Sequence, residues 1–335
     1  HSIEVIGEDS LCTPEGGQTA AQKLAANPKI AGIVGTNCSS AARAAIPVIC
    51  AANIPMVSPS NTAIDLTLSD RPESYHCYLR TAHSDAIQGA AAAQFAAEYL
   101  GVTKAATVHD GSLYADQLQQ QCAETFTGMG FEITAQEAIQ PTDTEMGSML
   151  TRVAATGPEL IYYPIFIAAG GHITAQARET AGLEDVHLMG ADGMFSPDFW
   201  EAAGDAAIGM YHSSPDLSLF GSAYPDFVAK HEEMYGEKPI APFHAHAYDA
   251  AMIIFEAIEK VAPGEEGEAL LIPRKALRDA LFATKDHQGL TGNITCGEFG
   301  DCADPHIAVY ETFNRDPANW NPGAGADNDP RKIWP

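Results

Sequence analysis

Two runs of small polar residues stand out for the chemistry they can do: Thr36-Asn37-Cys38-Ser39-Ser40 and Ser58-Pro59-Ser60-Asn61-Thr62. Each follows a short apolar stretch, residues 30–34 and 55–57, and an Ala-rich helical run, residues 41–52, lies between them. Hydroxyls at a helix start, beside the unpaired N–H groups of its first turn, make a seat for a carboxylate. A complementary chemistry sits at Met189-Gly190-Ala191-Asp192-Gly193, where an acid between small residues follows a strand-like run and can meet a cation. Aromatic groups hold comparable places. Tyr114 falls at a helix start after His109-Asp110-Gly111-Ser112, and Phe166 follows Tyr162-Tyr163-Pro164. Each has a plainer alternative: Ser39, Ser60 and Thr62 as caps and turn formers, Tyr114 and Phe166 as packing. On local grounds alone, Asp192 reads as the closure of an Asx turn.

The elements that must position these groups alternate. Strand-like runs at 2–7, 30–34, 55–57, 75–80, 105–109, 131–137, 159–163, 186–190 and 209–213 are interleaved with helical ones at 15–26, 41–52, 86–99, 113–127, 145–155, 167–181 and 197–203. That is the pattern of a doubly wound α/β sheet, whose ligands bind beyond the carboxyl ends of the strands. The later chain differs. Three helical runs, 224–235, 244–261 and 274–282, have few strands between them and are expected to cover an earlier sheet. A hairpin at 292–302 leads to a strand at 307–310, and the tail, 316–335, is rich in Pro, Asn, Gly and Asp, as in an extended surface strap.

A chain of 335 residues, 46% apolar and 19% charged, implies a packed protein of two domains. Its 44 acidic and 18 basic residues give a net charge of −26, which argues against nucleic acid and anionic membranes as partners. No apolar run reaches the roughly 18 residues that a membrane span needs. The abrupt start on a strand-like run leads us to expect that upstream sequence has been removed. Of seven cysteines, Cys12 and Cys38 lie at the ends of the first unit, and Cys296 and Cys302 bracket a tight GEFGD turn. Such placement suggests disulfides and an oxidising compartment. Cys122 reads as a free core thiol, and a Cys50–Cys77 pair is left open. His244 and His246, two apart on a helix, share no face and make no metal site. Nucleophile-elbow, zinc-protease, P-loop and dinucleotide fingerprints are all missing.

The run GIVGTNCSSAARAAIPVICAANIPMVSPSNTAIDLT resembles the branched-chain amino acid (Leu/Ile/Val) binding proteins of ABC importers. The likeness continues in order through LRTAHSDAIQG, ATVHDGSLYADQL, ELIYYPIF and LMGADGMFSPDFWEAAGDAAIGMY. The resemblance implies a type I periplasmic solute-binding fold: two doubly wound α/β lobes joined by a three-segment hinge. Lobe one would be residues 1–82 plus 214–306, and lobe two 83–213 plus 307–335. The family begins with one more strand–helix unit, in the middle of lobe one's sheet, which this sequence lacks. By the resemblance, Ser39 holds a ligand α-carboxylate, the Ser60 carbonyl takes the α-ammonium, and Thr62 binds both groups. Tyr114 and Phe166 supply aromatic contacts from the other lobe, Asp192 pairs with the ammonium, and Cys12 and Cys38 form the lobe-one disulfide.

The same resemblance implies an extracytoplasmic binding protein, periplasmic or a surface lipoprotein. It captures a small amino acid or related compound for an ABC permease, acts as a monomer, and uses no cofactor, metal or enzymatic step. A ligand-sensing receptor or regulator domain of the same fold is the alternative reading. Asp192 stands where the best-matching leucine binders carry glutamate, and Phe166 where they carry tyrosine. Relatives altered at such positions take other amino acids, amides, urea or aromatic acids.

Overall fold

The computed structural model describes residues 2–262 and 270–335. The chain divides into two units, residues 1–84, 220–227 and 243–305 forming the first, and 85–219, 228–242 and 306–335 the second. In the first unit, α1 (Pro14–Ala26) begins where the Thr13 side chain accepts the Gly16 N–H at 3.0 Å, with proline at the first helical position. β1 (Ile33–Val34), α2 (Ser39–Ala51), β2 (Met56–Ser58) and β3 (Tyr78–Arg80) follow, and the strands form a parallel sheet in the order β1-β2-β3. The two helices pack so closely that a Cβ on Gly17 would lie 2.4 Å from the Ala41 carbonyl oxygen. Pro47 lies inside α2 and has no N–H to give the Arg43 carbonyl. The Tyr75 hydroxyl donates to that oxygen instead, at 3.4 Å.

Residues 2–7 form no strand. Alternating apolar residues favour a strand only where a neighbour stands one strand-width away. Here residues 2–10 and residues 29–37, with part of α1 and of the helix at 244–261, line a cavity of about 1530 Å³. Ile3 and Val5 consequently stay 64% and 88% exposed.

The second unit is wound on β4 (Lys104–His109), β5 (Glu132–Ala138), β6 (Leu160–Tyr162), β7 (His187–Gly190) and β8 (Tyr211–Pro215), which are parallel. Its helices are α3 (Asp85–Gln94), which continues into a π-turn at Phe95–Tyr99, α4 (Leu113–Gly128), α5 (Gly147–Ala154), α6 (Ile167–Glu179) and α7 (Pro197–Ala203). Central strands read as continuous apolar runs because both faces are covered; Leu160, Ile161 and Tyr162 are all buried. Ser112 caps α4 by accepting the Ala115 N–H at 3.2 Å.

Of the three late helices expected to cover the earlier sheet, α8 (Tyr224–Tyr235) buries no residue and is divided between the units, whereas α9 (His244–Val261) and α10 (Arg274–Phe282) belong to the first unit. Ile253, Ile254, Leu277 and Leu281 pack with Val57 of β2 and Leu79 of β3 in one core. β9 (His287–Gly289) and β10 (Gly292–Ile294) make the hairpin, a few residues earlier than the sequence suggested. β11 (Ile307–Glu311) joins the second unit's sheet antiparallel to β8. The tail ends in β12 (Arg331–Trp334), which pairs with β11 at the sheet edge, the full order being β12-β11-β8-β7-β6-β4-β5. Apolar contact accounts for this strand in a tail read as a strap: the Trp334 ring meets Phe95 edge-on at 6.0 Å. Cys12–Cys38, Cys50–Cys77 and Cys296–Cys302 are disulfide-bonded, and Cys122 is free and buried.

Candidate functional site

In the first unit the polar groups gather where α2 begins and β2 ends. Ser39 is the first residue of α2 and is buried; its Oγ accepts the Ala63 N–H at 3.2 Å. Cys38, at the cap, gives no side-chain hydrogen bond, and the first turn holds no acid. The positive end of the helix dipole at this start of α2 favours an anion. The loop after β2 wraps on Ser58, whose Oγ accepts the N–H groups of Ser60 (3.2 Å) and Asn61 (2.9 Å). The Ser60 hydroxyl lies 2.8 Å from both the carbonyl and the side-chain oxygen of Asn37, tying the two loops together. Asn61 Oδ1 accepts from Thr36 Oγ1 and Tyr78 OH, each at 3.3 Å. Thr62, between these anchored neighbours, is fully buried, and its Oγ1 has no hydrogen-bond partner among the described residues. A buried hydroxyl without a partner costs free energy, so its place in a fold calls for a ligand or another explanation.

In the second unit Asp192 follows β7 directly and is buried. Its Oδ1 accepts from Gln88 Nε2 at 2.5 Å and from the Tyr114 hydroxyl at 3.3 Å. The Tyr114 oxygen in turn accepts the Gly193 N–H at 3.1 Å, and its ring lies 5.4 Å from that of Phe166, the residue preceding α6. The carboxylate is thus engaged by α3 and α4 and not spent on an Asx turn, the alternative that local sequence favoured. Burial raises the Asp192 pKa from 3.8 to about 6, against the lowering effect of hydrogen bonds from Gln88, its own backbone and Tyr114. Among the described residues, no positively charged side chain contributes to that balance. Burial also pushes the Tyr114 phenol up, and the Asp192 charge adds to it, so the hydroxyl stays a donor.

Gln88 is a residue that sequence reasoning missed. It lies on α3, 104 positions from Asp192, and its Nε2 also reaches the Ser213 carbonyl at 3.0 Å. Arg80 is another, at the end of β3 and fully buried. Neither stands in a loop after a strand, where polar groups attract notice. Among the described residues no group of three or more His, Cys, Asp or Glu is placed to hold a metal ion.

Residues 1–298 match the family described as periplasmic binding protein. The chain belongs to that family. Its members are solute-binding proteins and not enzymes. The leucine-, isoleucine-, valine-, threonine- and alanine-binding protein of Pseudomonas aeruginosa is 27% identical over 313 residues, covering 92% of this chain and 78% of the relative. Among solved structures, the leucine binding protein LivK of Thermotoga maritima superposes with a TM-score of 0.82 at 24% identity, over 94% of this chain and 86% of that one. LivJ of Streptococcus pneumoniae, a branched-chain amino acid transporter substrate binding protein solved with isoleucine, gives 0.80 at 23% identity, over 94% and 85%. These similarities establish a periplasmic binding protein fold, a mixed α/β architecture in two lobes. No helix among the described residues is long and apolar enough to cross a membrane.

Proposed function

We propose that this periplasmic binding protein captures a small amino acid outside the cytoplasm and presents it to an ABC permease. The observation that carries the reading is Asp192: a buried carboxylate, held by two neutral donors, with no cation among the described residues to balance it. An ammonium group supplies the missing charge. In the first unit, the start of α2 at Ser39 and the unpartnered Thr62 hydroxyl fit a carboxylate. An α-amino acid carries both ends. Tyr114 and Phe166 supply apolar contact, and the Ser60 carbonyl a further acceptor for the ammonium. The relatives' named ligands, leucine and isoleucine among them, make an aliphatic amino acid the leading candidate.

The test is a thermal-shift screen of amino acids, amides, urea and small aromatic acids, followed by calorimetry on the compounds that stabilise. An aliphatic amino acid is expected to raise the midpoint, and Asp192→Ala to weaken its binding tenfold or more. Affinity unchanged in Asp192→Ala removes the aspartate from the site and the reading with it.

A further inference from the structure

Besides the Ser39 and Ser58 hydroxyls, a buried guanidinium holds the loop that carries Thr62. Arg80 Nη1 donates to the carbonyl oxygens of Asn61 (3.1 Å) and Ala63 (2.8 Å), the two residues that flank Thr62. Nη2 donates to Thr67 Oγ1 at 2.7 Å, and Nε to Asp301 Oδ1 at 2.5 Å. The guanidinium is fully buried, and Asp301, itself half exposed, is the carboxylate that pairs with it. Only a flat fork of donors can serve four acceptors in this way; an ammonium on a flexible stem cannot.

Asp301 belongs to the loop closed by the Cys296–Cys302 disulfide. That loop is docked on β3: the Arg80 N–H donates to the Gly300 carbonyl at 2.8 Å, and the Cys302 N–H to the Arg80 carbonyl at 3.0 Å. Gly300 has φ +91°, and a Cβ there would meet the Tyr78 carbonyl oxygen at 2.3 Å, so the approach requires glycine. Arg71 Nη1 adds a bond to the Phe299 carbonyl at 2.5 Å. A continuous path of bonds therefore runs from a seven-residue disulfide loop, through Asp301 and Arg80, to both sides of Thr62.

We infer that Arg80 is a positioning residue for the ligand loop, and that the Cys296–Cys302 loop sets the aim of Arg80 through Asp301. This deepens the solute-binding reading and rests on it for the ligand. A purely structural arginine would stabilise the whole unit evenly. A positioning arginine governs residues 60–63 before it governs anything else.

The experiment compares the parent chain with Asp301→Asn, Asp301→Glu, Arg80→Lys and the Cys296→Ser/Cys302→Ser pair. Each is measured by amide hydrogen exchange and by calorimetric titration with L-leucine. The amides of Ser60, Asn61 and Ala63 are bonded to the Ser58 and Ser39 hydroxyls and report directly on the loop. In Asp301→Asn and Arg80→Lys these amides are expected to exchange at least tenfold faster, with α9 and α10 unchanged; the serine pair, whose sulfurs pack among α9 and α10, is expected to quicken the same amides at least as much. L-leucine affinity is expected to fall at least fivefold, and Asp301→Glu to restore both. Exchange that rises evenly across the first unit, or not at all, overturns the inference. So does parent-like affinity in Asp301→Asn. If the parent itself binds no L-leucine, the amino-acid reading is what fails, and the exchange at residues 60–63 still decides the role of Arg80.

Discussion

Replacing Asp192 by asparagine should make the ligand-free protein more stable and a poorer binder at once. Asparagine keeps an acceptor for Gln88 and Tyr114 but removes the charge. Burial moves the carboxyl pKa from 3.8 up to about 6, so ionising it in the folded protein costs roughly 3 kcal/mol more than in the unfolded chain. The sign follows from which state holds the proton. Between pH 4 and 6 the folded protein keeps a proton that the unfolded chain has released. The stabilisation from this group is therefore full below about pH 4 and lost as pH rises through 6. At pH 7.5 the wild-type protein bears the whole penalty and Asp192→Asn bears none. Urea unfolding of ligand-free protein should show the variant more stable by about 1 to 3 kcal/mol at pH 7.5, the lower figure allowing for the new amide's own unmet donors. Near pH 4 the gain should be gone, leaving the variant equal to the wild type or less stable by up to about 2 kcal/mol. The same variant loses a charge-assisted bond to an ammonium worth about 1.5–3 kcal/mol, and calorimetry should show affinity at least tenfold weaker. A variant less stable than wild type at pH 7.5, or one that binds an amino acid as tightly, refutes the account of Asp192 as a buried, cation-seeking carboxylate.

Three further outcomes are expected. Amino-acid affinity of the wild-type protein should rise with pH up to about 6 and then level off, falling about tenfold per pH unit below that point, because the Asp192 proton must leave before an ammonium binds. Titrations in buffers of different ionisation enthalpy should show close to one proton released near pH 5; a flat profile from pH 4.5 to 7 counts against it. Converting Cys50 and Cys77 together to serine opens a loop of sequence separation 27 and should cost about 3 kcal/mol in denaturant unfolding, with an unchanged midpoint contradicting the estimate. Tyr75→Phe removes the donor to the Arg43 carbonyl that Pro47 leaves without an N–H. It should cost about 1 kcal/mol in the same assay. Parent-like stability would show that the carbonyl finds water instead.

The alternation of buried apolar runs and helices was legible in the sequence because each parallel strand must be apolar on both faces while each helix needs one apolar stripe. Helix starts were legible too, as at Thr13 and Ser112, where the capping hydroxyl acts within three residues of itself. Loops that follow strands, and so carry Ser39, Ser60, Thr62 and Asp192, could be placed for the same local reason. Residues 2–7 show where local pattern ends: a strand propensity is met only by a neighbouring strand, and these residues line a cavity. Gln88 and Arg80 escaped notice because their partners stand outside any local motif, 104 positions away for Gln88 and from 13 to 221 positions away for Arg80. A glutamine on a helix face and an arginine ending a strand look like solvated residues until the partners are known.

Distant polar partners also explain why the two chemistries are so unequal in the folded chain. On the first unit, Ser58, Ser39, Asn37 and Arg80 take up the hydrogen-bonding groups on either side of Thr62. What the ties leave over among the described residues is the buried hydroxyl of Thr62 and, beside it, Asn61 Nδ2. On the second unit, Gln88 and Tyr114 fix one oxygen of Asp192 and leave its charge unanswered.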